Sequence, residues 1–495
     1  MKILQAGELL ITSVPGIKSS IKLQDFISKN NLFGVILFSY NFKDSTQLLK
    51  LTNDLQIAKK KVSNHPLIIS IDYEGGFVSR FPRHIDTIPS AFAQGLSKKP
   101  DLTYKLYKFI GNKLKKSGVN LNLAPVLDIL PNNNDSLIGI RSFGNSKVNV
   151  SSFSTKAGQG LHDAGILACG KHFPGLGNAI NDSHLGKVFD LSEINKLKEH
   201  HLYPYKKIIK KGILTIMSGH IIYPNIETNM LPSTFSYQLN TTLLRNYLKF
   251  SGILISDDLG MSAISNHYSL EQSLIKSYLS GIDITMICHM HKKHPEIMQT
   301  INKLIKNSVI SEKRLFEIAQ RQNKLFDFLS HPETTTKNIT LKEFKKISSS
   351  ISLNSLTSVK GQGLKPNKDS RILLFFGKML AATDVEEVFD FASSFLNKLR
   401  TLFTNVHLHI IDKHSNPPEL VIKKYDTIIL VTGDILYDRY QMDFIKNIIT
   451  VKIINLAICV KNFSDAKLLT KYCDNVIQTY GFHEENQNAI LNYLT

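Results

Sequence analysis

A (β/α)8 barrel of the TIM type followed by a smaller α/β sandwich is the fold class this 495-residue chain predicts, on three observations. Its length exceeds one typical domain and suits a barrel of about 250 residues or more plus a second unit. Eight short apolar runs alternate with amphipathic stretches of helical period through the first two thirds of the chain. Asp72, Lys171, His172, His220 and Asp257 each follow one of those runs at its C-terminal end, the rim on which such barrels carry their chemistry.

The runs are Glu8 to Val14, Phe33 to Phe38, Leu67 to Ile71, Val119 to Ala124, Ile166 to Cys169, Ile213 to Met217, Ile253 to Ile255 and Ile282 to Ile287. Helical stretches such as Ser45 to Lys61, Leu102 to Lys116, Leu191 to Lys211 and Tyr237 to Lys249 separate them. Doubly wound sheets also bind ligands at strand C-termini, but eight repeats before any change of composition favour closure. A polar stretch around Pro332 marks a boundary, and from Ile372 the pattern restarts with runs Ile372 to Phe376, Val406 to Ile411, Thr427 to Val431 and Ile453 to Cys459. The expected division is a catalytic barrel at 1–335, a linker region at 336–370 and a sandwich at 371–495.

Composition is near the globular average, at 42% hydrophobic and 20% charged residues, which argues against disorder. The formal charge of +19 raises nucleic acid as a partner. Its distribution argues against that, because the lysines fall in short clusters such as Lys59 to Lys61 and Lys206, Lys207, Lys210 and Lys211, spaced as on solvated helix faces. Cys169, Cys288, Cys459 and Cys473 form no CxxC pair and are expected to be reduced. The N-terminus has no signal-peptide pattern, and no segment reaches the roughly 18 uncharged apolar residues of a membrane span. A soluble, cytoplasmic protein without a membrane span is expected.

The densest chemical segment is Gly170-Lys171-His172-Phe173-Pro174-Gly175-Leu176-Gly177, followed by Asp182-Ser183-His184. Gly and Pro end regular structure, so Lys171 and His172 close a strand and the remainder forms a loop. Asp182 and His184, two apart, can act as a dyad in which the carboxylate orients the imidazole for proton transfer near neutral pH. Residues 165–171 satisfy GxxxxGK, but His172 stands where a phosphate-binding loop needs Ser or Thr. His172, Asp182, His184, His220 and Asp257 could alternatively ligate a hydrolytic metal, although neither an HxH at a strand end nor an HExxH helix is present.

Asp257 and Asp258 close the run at 252–255. Asp258 is the better helix cap, and Asp257, nearer the strand end, the better nucleophile or base facing the mouth. Asp72 and Arg80 flank Tyr73-Glu74-Gly75-Gly76, and Arg141 lies between Gly139 and Gly144; these can bind sugar hydroxyls or an anion, or form structural turns.

Together these segments resemble the β-N-acetylglucosaminidases of glycoside hydrolase family 3. The matching stretches, in family order, are Gly34 to Phe38, Ile71 to Gly76, Leu123 to Asp128, Arg141 to Gly144, the Lys171-His172-Phe173-Pro174-Gly175 loop with Asp182 and His184, and Ser256 to Leu259. The resemblance covers roughly residues 5 to 330, and the Asp-x-His loop is specific to the N-acetylglucosaminidase branch. It implies Asp257 as nucleophile, Asp182 and His184 as the acid/base dyad, and Asp72, Arg80, Arg141, Lys171 and His172 as ligands of a terminal GlcNAc. It implies no metal and no cofactor. Substrates would be GlcNAc-containing muropeptides of peptidoglycan recycling or chitooligosaccharides. Two other readings share the site, a phosphorylase of β-N-acetylglucosaminides and a non-catalytic GlcNAc-binding protein. Leu176, Tyr73 and Phe77 depart from the family pattern, standing where His, Gln and Arg are frequent.

Overall fold

The computed structural model of the chain describes residues 4–80, 87–131, 136–176, 179–182, 186–331, 338–377, 391–413, 415, 419–435 and 438–495. Eight parallel strands close a barrel: β1 (Leu10–Ser13), β2 (Gly34–Leu37), β3 (Ile68–Ile71), β6 (Leu121–Asn122), β7 (Leu167–Phe173), β10 (Thr215–Ser218), β12 (Ile253–Asp258) and β13 (Ile284–Ile287). The first and last are joined in register through Leu10 opposite Thr285. All eight arise from the apolar runs, because a barrel strand is buried on both faces and therefore reads as continuous hydrophobicity.

Alternation along each strand fixes which residues line the interior. Ile68 of β3, Leu167 and Cys169 of β7, and Ile253 and Ile255 of β12 share an inner cluster with Ile11, Ile36, Leu121, Met217, Ile284 and Met286. The same inward phase, extended toward the C-terminal mouth by four residues from Ile68 and by two from Cys169 and Ile255, reaches Asp72, Lys171 and Asp257. At the opposite end the helix Glu312–Ser330 inserts Leu325 and Phe326 into that cluster, with the Phe326 ring 6.2 Å from Phe33. Burying one such aromatic contributes roughly 1.5–3 kcal/mol, and the barrel is filled rather than hollow.

Two small sheets stand on the mouth. A hairpin of β4 (Tyr73–Gly75) and β5 (Val78–Ser79) rises from β3. A second sheet joins β8 (Ile180–Asp182), β9 (Lys187–Phe189) and β11 (Ile221–Ile222).

The C-terminal sheet is built from β14 (Thr357–Lys360), β15 (Arg371–Gly377), β16 (Asn405–Ile411), β17 (Thr427–Thr432), β18 (Ile454–Cys459) and β19 (Cys473–Gln478), in the order β14-β19-β18-β17-β15-β16. All neighbours are parallel except β14 with β19. The interval 336–370 holds the helix Leu341–Ser355 as well as β14, so its described part is structured chain tied to both units. Phe344 of that helix stacks on Phe109 of the barrel at 4.2 Å, and Lys105 reaches Glu343 at 2.8 Å. Among the described residues no helix is long and apolar enough to cross a membrane.

Candidate active site

Asp72, the first residue beyond β3, meets Lys171 at the end of β7, with Nζ 2.7 Å from Asp72 Oδ1. The same ammonium lies 2.7 Å from Glu74 Oε1. Glu74 in turn accepts a two-pronged interaction from Arg141, whose Nε and Nη2 each donate at 2.8 Å. Arg80 Nε lies 3.9 Å from Asp72 Oδ2, and its guanidinium sits 4.4 Å from the centre of the Phe38 ring. Two carboxylates and three cations thus share one buried cluster.

Burial by itself would raise the Glu74 carboxyl, but Arg141 and Lys171 outweigh it and hold the group well below its ordinary range. For Lys171 burial acts to lower the value, and Asp72 and Glu74 overcome it, keeping the ammonium charged. The sequence reading passed over Glu74. Its signal was present in the Asp72-x-Glu74 spacing, which returns two carboxylates to one side of a strand.

His172 is held from the neighbouring strand end. Its Nδ1 donates to Asp128 Oδ2 at 2.8 Å, leaving Nε2 as an acceptor 3.5 Å from Arg141 Nη2. Asp128 is wholly buried and also accepts from the Leu176 backbone N–H at 2.7 Å, which fixes the exit of the glycine-rich loop. The Lys171–His172 and Phe173–Pro174 peptides are cis. Leu176 packs against the cluster of Val126, Leu130 and Ile138. Tyr73 is core, its backbone bracketed by Asn122 through bonds of 3.0 and 2.9 Å.

Asp257 ends the inward face of β12 and is partly exposed to the mouth. Burial would raise its carboxyl; His220, His172, the Asp258 N–H at 2.8 Å and Lys171 together bring it below the ordinary value. Asp258 shifts the opposite way, raised mainly by burial and partly by Asp257. It is occupied in holding the backbone, accepting from Gly260 N and Cys288 N at 2.9 Å each. It therefore stitches β12 to β13, whereas the following short helix, Ser262–Ser265, takes Met261 as its N-cap. One carboxylate of the pair is structural and the other is presented as an anion.

His220, which follows β10, joins this group. Its Nε2 donates to the Asp258 carbonyl at 3.0 Å and its Nδ1 lies 2.7 Å from Thr234 Oγ1. Its position beyond an apolar run marks it in the sequence, where the role it is offered is that of a possible metal ligand.

The loop carrying the expected dyad leaves Pro174 through Gly175, whose φ of 143° suits a residue without Cβ. Tyr223 donates to the Gly175 carbonyl at 2.5 Å. Asp182 ends β8 opposite Lys187 of β9, and β9 pairs in parallel with β11 through Val188 opposite Ile221. The backbone of Asp182 is thereby tied to the element directly after His220. His184 lies outside the described residues, as does the side chain of Asp182. Asp72, Arg80, Arg141, Lys171, His172 and Asp257 are brought together at one mouth.

Residues 4–325 match the glycosyl hydrolase family 3 N-terminal domain. Beta-hexosaminidase A of Pseudoalteromonas piscicida is 30% identical over 378 residues, which cover 70% of this chain and 63% of that protein. The beta-hexosaminidase of Nitrosomonas eutropha is 33% identical over 274 residues, covering 54% of this chain and 77% of that protein. A solved family 3 β-N-acetylglucosaminidase from Paenibacillus sp. str. FPU-7 shares the fold, with a TM-score of 0.90 at 24% identity over 99% of this chain and 95% of that one. With its barrel, its strand-end carboxylates and a profile match over most of its length, the chain belongs to glycosyl hydrolase family 3.

Proposed function

We propose that this protein is a retaining exo-β-N-acetylglucosaminidase that removes terminal non-reducing GlcNAc from peptidoglycan fragments in the cytoplasm. The observation that carries the reading is the position of Asp257: a partly exposed carboxylate at a barrel strand end, on the same mouth as His220, His172 and the buried cluster of Asp72, Glu74, Lys171 and Arg141. The names of the relatives support the sugar, and the buried cluster of Asp72, Glu74, Lys171 and Arg141 supports a ligand rich in hydroxyls.

In this scheme Asp72, Arg80, Arg141, Lys171 and His172 grip the terminal sugar. An Asp257 oxygen attacks C1 and the C1–O bond to the leaving group breaks, while the His184 imidazolium, oriented by Asp182, gives its proton to the departing oxygen. The neutral imidazole then takes a proton from water, the resulting hydroxide attacks C1 from the opposite face, and Asp257 leaves as carboxylate. Two inversions give retention. An imidazole suits both steps because its ordinary pKa, about 6.5, lies near the working pH. The scheme uses no metal.

An aryl β-N-acetylglucosaminide should be hydrolysed in the presence of chelator, and Asp257→Ala should lower kcat by about 10⁴-fold. Undiminished turnover in that variant refutes the assignment. His184→Ala should cost about 10²–10⁴-fold for a sugar leaving group and less for an activated phenol, which needs little protonation. Added phosphate should yield no GlcNAc-1-phosphate; its formation would make the enzyme a phosphorylase.

A further inference from the structure

We propose that His483, in the second domain, is a positioning residue for the barrel's substrate-binding hairpin, so that two domains maintain one site. The proposal rests on the reading of Asp72 and Arg80 as sugar ligands. These two residues are the feet of the β4–β5 hairpin, joined by the Arg80 N–H donating to the Asp72 carbonyl at 3.3 Å. Glu74, which holds Lys171 and Arg141, lies on its rising strand. A shift of the hairpin therefore moves three charges of the pocket at once.

The tip is closed from the barrel side by residues 88–90. Gly75 and Gly76 have φ of 101° and 54°, and Gly76 N–H donates to the Ile88 carbonyl at 3.0 Å. The fit is tight: a Cβ on Gly75 would lie 2.6 Å from Ile88 Cγ1, and one on Gly76 2.8 Å from Ser90 Cβ.

From the other side the tip meets the second domain. His483 Nε2 donates to the Gly76 carbonyl at 2.6 Å. The Phe77 ring lies 6.2 Å from both the His483 and Phe391 rings, and Lys461 Nζ lies 5.8 Å from its centre. Ser90, the support beneath Gly76, itself donates to the Tyr480 carbonyl at 2.6 Å. Burial pushes the His483 imidazole down to about 4, so the ring is neutral at working pH and keeps one N–H for this bond. The hairpin is thus clasped between two loops that both report to the second domain. A purely structural contact would affect stability alone, whereas a positioning contact also sets how the sugar is bound.

The test uses the full-length protein and an aryl β-N-acetylglucosaminide. His483→Ala should raise KM about tenfold, the order of one lost buried hydrogen bond, with kcat changed by less than about threefold. His483→Gln, whose amide can donate to the same carbonyl, should recover most of that loss. Should the alanine variant fail to fold, Phe77→Leu reads the same contact and should raise KM in the same direction. Wild-type KM and kcat in a His483→Ala protein of lowered Tm would overturn the proposal, as would a glutamine variant no better than alanine. If the wild type cleaves no glycoside, the functional reading fails separately, and the same variants are compared by their Kd for GlcNAc, with weaker binding by the alanine variant supporting the clasp and equal binding overturning it.

Discussion

The two ends of the barrel carry the same kind of charge cluster and use it differently. At the N-terminal end Asp283, wholly buried before β13, is held by Arg245, Arg314 and Arg321 at 2.5, 2.6 and 2.9 Å. At the mouth Asp72 and Glu74 are held by Lys171, Arg141 and Arg80. Burial tends to raise the Asp283 carboxyl, and its three arginines overcome that, as happens at Glu74. Perturbed carboxylates therefore do not by themselves mark a site. At the sealed end the remaining capacity is spent on the chain: Arg314 also donates to the Gly281 carbonyl, Arg245 to those of Phe250 and Gly252, and the Leu254 N–H donates to Asp283. The mouth cluster adjoins Asp257, which stays partly exposed with His172, His220 and Lys171 around it.

Neutralising one group at each end separates the two roles. Asp283→Asn and Lys171→Met should each lower unfolding free energy, measured in urea, by about 3–5 kcal/mol, since each leaves buried charge without its partner. Only Lys171→Met should also raise KM, by at least about tenfold. A raised KM in Asp283→Asn would show that the two ends are coupled.

A second effect is pH-dependent stability. Glu74 and Asp283 both have folded values below their ordinary 4.5 and 3.8, so the stability they contribute is present above those values and is lost as pH falls through and below them. Lys171 has the opposite sign: its folded value lies above 10.5, and its contribution is present below that and lost as pH rises further. Thermal unfolding should show an acid limb below about pH 4.5, made shallower by Glu74→Gln. An unchanged limb in that variant would show that Glu74 contributes nothing to acid stability. The smallest effect belongs to Asp128→Asn, which weakens the hold on His172 and on the Leu176 N–H and should raise KM up to about tenfold with the fold intact.

The barrel was legible because its strands are apolar on both faces and because the inward phase of Ile68, Cys169 and Ile255 leads directly to Asp72, Lys171 and Asp257. Two strands of the second sheet were not. All four residues of β14 are exposed, and β19 is interrupted by Asp474, Asn475 and Gln478, so neither carries an apolar run. Asn475 is polar for a local reason, donating to the Asn455 carbonyl and accepting from Gly363 N–H. At the site, the separation of Asp257 from Asp258 followed from strand phase. The pairing of Asp128 with His172 did not, because the partners lie 44 residues apart and meet only through β6 and β7. Likewise nothing within the Gly75-Gly76-Phe77 tip announced a partner beyond position 480.

In the proposed mechanism Asp257 carries the sugar during turnover. A 5-fluoro N-acetylglucosaminyl fluoride, which slows release of the glycosyl enzyme, should leave a protein one sugar heavier by intact mass, with the added mass mapping to Asp257 after proteolysis. Label on another residue, or steady turnover of substrate with no label at all, would contradict it.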